Sequence, residues 1–291
     1  MTEKLAHAEP PTTLTDGAAV DLRPQWNLDG QSVVFERKSD ASSGLFLLHL
    51  ERTRAGVCEA LDCCNRQARV VQGRAAFFAT NVFAYVSDRG GQPAIWHADL
   101  NHREIEPLTL PMQDESDFGP STVPDAKGMF VFFRIFGSHG RPHLFRGELR
   151  YGINALTIGS REGDQPWLLP GADRIVFHSR RDGDDAIFVR EIDAGANAKR
   201  VSRADERTAF VTPHPSPDGK HIIFASARSG VSQLWLAAID GANAQQLTFD
   251  AEPSCFPAWS PDGERIAFVR GDPFAARPTG RLMMMKIASA A

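Results

Sequence analysis

The chain has 291 residues, 42% of them hydrophobic, and a formal net charge of −4. With no dense Lys/Arg run, that balance argues against a nucleic-acid partner, whose phosphates call for a basic face, and no apolar run of about 18 residues is present to cross a membrane as a helix. Cys58, Cys63, Cys64 and Cys255 show no framework spacing, which argues against a disulfide scaffold and makes a metal-binding role for the Cys63-Cys64 pair incidental.

Met1 to Ala8 carries no apolar stretch of signal-peptide length, so the expected location is the cytosol, or the periplasm if a leader has been removed. The first predicted strand covers residues 6–15, with Thr13-Leu14-Thr15-Asp16 at its end. From there a phrase recurs at intervals of 44 to 50 residues, the mark of one supersecondary unit copied several times. Its first copy is Pro24 to Phe35, with Trp26 and Asp29-Gly30; the second ends at Phe83-Ala84-Tyr85-Val86-Ser87 and has lost its turn signal. Pro120 to Phe132 follows with Pro124-Asp125 and one extra residue, then Pro166 to Phe177 with Pro170-Gly171. The last two are the clearest: Pro213 to Phe224 around Ser216-Pro217-Asp218-Gly219, and Pro257 to Phe268 around Ser260-Pro261-Asp262-Gly263. The closing aromatics Phe35, Tyr85, Phe132, Phe177, Phe224 and Phe268 count six units.

Each unit reads as a four-stranded antiparallel sheet. A short first strand turns through Pro and Gly into an apolar second strand such as Ile175-Val176-Phe177, too short for a helix and rich in β-formers. A third strand, as in Gln233 to Ile239, leads through Asp240-Gly241 to a fourth ending Gln246-Leu247-Thr248. Such sheets are apolar on both faces, and a closed ring buries every face. The expected fold is therefore all-β, a single-domain six-bladed β-propeller with blade cores at about 23–60, 61–110, 117–157, 164–202, 211–248 and 255–288. The sixth unit runs out of chain after Leu282 to Ile287, and Leu14 precedes Trp26 by the same 12 residues that separate Leu247 from Trp259. The N-terminal strand is thus predicted to complete the last blade and close the ring.

The phrase Pro-x-Trp-Ser-Pro-Asp-Gly-x-x-Ile-x-Phe followed by Ser-x-Arg resembles the repeat of TolB-type six-bladed β-propellers, strongly over Asp205 to Phe268 and weakly over Glu51 to Tyr85. The same resemblance extends to propellers that precede prolyl-oligopeptidase-type hydrolases and to oligogalacturonate lyases, so it implies the fold without choosing the activity. No Gly-x-Ser-x-Gly pentapeptide occurs, which argues against a serine peptidase.

Function is expected where loops enter the innermost strands around the central channel. The inter-blade loops and the loops joining second to third strands share that face and are rich in Arg, Asp and Gly. They offer Asp21, Arg23, Asp117, Arg141, Asp164, Arg180, Arg228 and Arg270 as candidate contacts for a polar or anionic ligand or a protein segment. Arg89, Arg180 and Arg228 recur three or four residues after the closing aromatic, a recurrence that favours a structural role; Arg37, Arg134 and Arg270 sit slightly earlier and are expected to point differently. Asp21, Asp117, Asp164 and Glu252 are weighed as a carboxylate ring for a hard cation and read instead as turn caps. His214 occupies an innermost strand where other units have Gln25, Ala75, Ser121, Trp167 and Ala258, and His139 and His143 flank Arg141 in a mouth loop. These histidines are the weak catalytic candidates. The resemblance to the lyases implies a channel metal held by histidines, but a lone His214 lacks partners at equivalent depth, so no cofactor is expected. The leading expectation is a monomeric binding module; the alternative is a lyase or hydrolase acting on an acidic sugar or peptide-like substrate.

Overall fold

The computed structural model describes residues 7–39, 43–52, 58–61, 64, 74–137, 140–149, 152–155, 163–192, 197–202 and 212–288. They form six antiparallel sheets arranged as the blades of a propeller. Blade 1 shows the plan: Val20–Trp26, Ser32–Lys38, Ser43–His49 and Cys58–Ala60 pair in that order from the channel outward. The innermost strands of blades 2 to 6 are Ala76–Ala79, Glu115–Ser121, Asp164–Leu168, His214–Pro215 and Ser254–Trp259.

The recurring phrase works as expected. In blade 6 the Ser260 hydroxyl accepts from the Arg265 amide at 2.9 Å and donates to Asp262, while the Gly263 amide donates to the Ser260 carbonyl at 3.0 Å with φ at 75°. Only glycine adopts that φ without steric cost, so Pro-Asp-Gly makes the hairpin tight. Where the signal is missing in blade 2, Asn81 takes the left-handed conformation at φ 64° and closes the hairpin instead. The extra residue of blade 3 is absorbed by a 3₁₀ turn at Pro124–Ala126.

The six closing aromatics lie in the second strands and are at most 2% exposed. They pack with the third-strand aliphatics and aromatics of their own and neighbouring blades into the interblade core. Ring closure is built at two depths. The Trp26 indole of blade 1 donates to the Ala258 carbonyl of blade 6 at 3.0 Å, and Arg265 of blade 6 lies 4.6 Å from the Trp26 ring centroid. At the outer edge, His7–Ala8 and Thr12–Thr13 pair with Arg281–Ala288, supplying the missing strand. Thr15 copies a blade-internal contact: its hydroxyl accepts the Leu282 amide at 2.9 Å, as Thr109 accepts Ile95, Ser202 accepts Ile187 and Thr248 accepts Leu234.

Candidate functional site

The innermost strands carry an irregularity that shapes the channel. In blades 1, 3, 4 and 6 the pairing register slips at Arg23, Gly119, Gln165 and Phe256, each with φ between 47° and 61° and each followed by proline. These bulges fall at equivalent positions of the four strands, a level of the channel here called its waist. Below the waist, on the side of the tight Pro-Asp-Gly turns, lies a cavity of about 380 Å³ to which all six blades contribute. Its wall includes Trp26, Trp167, Trp259 and Phe77, and its rim Leu28, Val123 and the turn prolines. The cavity thus opens at the mouth opposite the loops in which the sequence placed its candidates.

Those loop-face candidates are brought together mostly with one another. The Asp21 carboxylate, fully buried, accepts from Arg37 Nε and Nη2 at 2.6 and 2.9 Å, and Asp117 does the same with Arg134 at 2.6 and 2.9 Å. Asp21 and Arg37 face each other across the first hairpin of blade 1, as do Asp117 and Arg134 in blade 3. Each Asp is therefore a cross-strand partner in its own blade, and the hydrogen bonds it accepts raise the pKa of the opposing Arg. Arg270 pairs with Asp250, and Arg23 donates to the buried Glu36 at 2.7 Å while lying 4.9 Å from the Phe256 ring centroid. Arg228 lies 4.1 Å from the Trp235 centroid, and Arg89 5.1 Å from that of Trp96. In blade 4 the arginine over the aromatics is Arg181, against Phe177 and Phe188; Arg180 is exposed and bonded to Asp185. Arg141 is exposed, His143 packs edge-on to Phe136 on the third strand of blade 3, and His139 lies outside the described residues.

Blade 4 joins its candidate carboxylate to a histidine. His178 sits between Asp164 at 2.6 Å and Asp185 at 2.8 Å. Burial alone would lower its pKa, but the two carboxylates outweigh burial and raise it above the ordinary value. A raised folded-state pKa means that the charged network stabilises fully below the unfolded histidine value of about 6.5 and fades as pH rises through the folded value. We expect His178→Asn to lower the melting temperature most near pH 6 and progressively less toward pH 9. A pH-independent difference would show that charge is not what His178 contributes.

In the channel itself, His214 packs tilted against Trp167 with ring centroids 4.2 Å apart, and its Nδ1–H donates to the Pro215 carbonyl at 3.0 Å. Burial, with the charge of Arg74 adding to it, pushes its pKa down to about 3, so the imidazole is neutral. Arg74 is the residue that sequence reasoning missed. Five inner strands have proline at this position, Pro24, Pro120, Pro166, Pro213 and Pro257, and blade 2 alone has arginine. That break in the repeat was the available signal. Arg74 is 4% exposed; its Nε donates to the Pro120 carbonyl at 3.1 Å and its Nη2 to those of Gly119 and, at 2.9 Å, Pro166. The guanidinium lies 4.0 Å from the Trp167 centroid, on the ring that also contacts His214. Gly119 provides the space, since a Cβ there would sit 2.8 Å from Phe133 and 3.1 Å from Arg74 Nη2.

Among the described residues no three His, Cys, Asp or Glu side chains come close enough to hold a metal ion, and no helix is long and apolar enough to cross a membrane. Among the described residues Cys58, Cys64 and Cys255 form no disulfide with one another.

Residues 138–288, just over half of the chain, match the family model described as the TolB beta propeller domain. The Tol-Pal system protein TolB of Albidiferax ferrireducens is 34% identical over 148 residues, covering 44% of this chain and 35% of that protein. The chain spans about half or less of the length of the curated relatives it matches. Among solved structures, TolB from Acinetobacter baumannii superposes with a TM-score of 0.69 at 20% identity, over 87% of this chain and 60% of that one. An oligogalacturonate lyase in complex with manganese superposes with a TM-score of 0.63 at 16% identity, over 99% and 96%. At these identities the superpositions speak for the fold alone.

Proposed function

Because the chain belongs to the TolB beta propeller domain family, we propose that it is a recognition propeller that seats a segment of a partner protein in the channel mouth on the turn face. The observation that carries this reading is the cavity of about 380 Å³, walled by three tryptophans and rimmed by prolines. Concave, mostly apolar and aromatic walls with few polar groups suit an inserted side chain or strand end. Rigid turns at the rim keep the mouth preformed, so little ordering entropy is lost on binding. The Tol-Pal relatives give no support to the cytosolic location expected from the sequence, and we carry the periplasmic alternative into this reading.

The alternative reading, an enzyme acting on an acidic sugar or peptide-like substrate, draws on the likeness to the lyase. The manganese named for that protein finds no matching donor set in the described part of this channel. His214 is the one imidazole among the cavity-lining residues, and the positions equivalent to it hold Gln25, Ala75, Ser121, Trp167 and Ala258. A neutral imidazole whose pKa is pushed to about 3 is also poorly suited to take up a proton near pH 7.

The reading is tested by cross-linking the protein to its partner in its own cells, isolating it and mapping the cross-linked residues. Val123→Glu, at the partly exposed rim, places a charge in the apolar mouth and is expected to lower partner recovery at least tenfold while leaving the melting temperature near that of the wild type. Cross-links confined to the loop face, with Val123→Glu binding as the wild type does, would refute the turn-face site.

A further inference from the structure

The waist of the channel gathers two guanidiniums, Arg23 paired with Glu36 and Arg74 without a carboxylate contact among the described residues. Arg74 enters it with no carboxylate in contact: its anchors are three backbone carbonyls, and Nη1 donates to no described residue. Arg23, on the adjacent blade, occupies the bulge position equivalent to Gly119, whose carbonyl Arg74 binds, and its charge acts on Arg74. One of its nitrogens is bound to Glu36, while Nε and Nη2 donate to no described residue. The nearby carboxylates are committed: Glu36 to Arg23 and the Ser43 hydroxyl, and Asp164 to His178. Two guanidiniums are thus gathered at the centre of a chain whose formal net charge is −4. Burial, with Arg23 adding to it and Asp164 opposing it, depresses the Arg74 pKa to about 9. A charge this deeply buried is ordinarily paired.

Arg74 also has a purely structural use, since it ties blade 2 to blades 3 and 4. That use accounts for Nε and Nη2. It accounts neither for the unbonded Nη1 nor for a second guanidinium carried by the strained bulge at Arg23, φ 49°.

We propose that the channel waist is a carboxylate-binding site in which Arg74 and Arg23 hold the anion between them. The anion takes the unused N–H groups of both, in the charge-assisted geometry that guanidinium offers to carboxylate. Trp167 and Phe256 lie against the two guanidiniums and help fix their planes, so that their N–H groups are presented in the flat fork that a carboxylate meets edge-on. The carboxylate belongs either to a small organic acid or to an acidic residue of a polypeptide.

The test is calorimetric titration of the full chain with sodium malonate, with ionic strength held constant by sodium chloride. Saturable one-to-one binding is expected, weakened at least tenfold by Arg23→Met and abolished by Arg74→Met. Arg23→Met leaves the three carbonyl contacts of Arg74 in place, so it carries the test if Arg74→Met fails to fold. A parallel titration with N-acetylated, amidated tetraglutamate distinguishes the sources: tighter binding of the peptide assigns a partner's side chain, tighter binding of malonate a free acid. The proposal is overturned if neither probe saturates, if inorganic phosphate binds and malonate does not, or if the folded variants bind as the wild type does. No partner protein enters the titration, so its failure would leave the turn-face reading as it stood.

Discussion

A chain lacking residues 1–16 is expected to lose its sharp thermal transition, or to melt about 10 °C or more below the full protein. The lost contacts are specific. The Glu9 and Leu14 amides donate to the Lys286 and Leu282 carbonyls at 3.0 and 2.8 Å, and the Thr15 hydroxyl accepts the Leu282 amide at 2.9 Å. At about 1 kcal/mol per hydrogen bond and about 2 kcal/mol for burying Leu14, the segment contributes about 5 kcal/mol, comparable to the whole stability of many domains. Its removal also leaves Arg281–Ala288 as an unpaired edge strand, a template for self-association. Adding a synthetic peptide of residues 1–16 in trans should restore part of the lost melting temperature by strand addition. A truncated protein that melts within about 3 °C of the full chain would show that the ring closes without its clasp.

Asp117→Asn should be the second costly change, lowering stability by about 3 kcal/mol and the melting temperature by more than about 5 °C. Asp117 is fully buried and binds Arg134 through both oxygens, and Glu115 at 2.8 Å is the only other carboxylate that the described residues offer Arg134. Loss of one carboxylate leaves a guanidinium with side-chain exposure of only 12% half-paired inside the blade. Arg180→Ala is the contrast, since that side chain is 71% exposed and its pair with Asp185 is of the surface kind, worth under about 1 kcal/mol. Thermal unfolding of both variants decides the matter: if Asp117→Asn is as mild as Arg180→Ala, the loop-face carboxylate is not structural and regains its standing as a ligand contact.

Much of the architecture is written in short stretches. Trp26 and Trp259, the Ser-Pro-Asp-Gly turns and the six aromatics from Phe35 to Phe268 are local or periodic features, and each maps to one place in the blade. Closure was legible too, because the 12-residue spacing of Leu14 from Trp26 copies a spacing inside the chain. The candidate site was far less legible. Asp21 and Arg37 look like mouth charges in sequence, and only their antiparallel register shows that each is the other's partner. Arg180 and Arg181 are adjacent, and the pleat of the strand leading into their turn decides which one covers Phe177. Asn81 replaced a turn signal without resembling it, since asparagine reaches the left-handed region by its own side-chain chemistry.

The repeat by itself thus determined the number of blades, their strand order and the identity of the closing strand, because those follow from hydrophobic period and turn chemistry along the chain. That the turn-face mouth holds a cavity, and which charges are spent, was decided only in three dimensions. Six inner strands from distant segments converge on one axis there, and four of them carry bulges at equivalent positions. Arg74 joins the two levels. Its departure from proline is visible in the repeat, but that it reaches carbonyls of blades 3 and 4 depends on packing that no single stretch of chain contains.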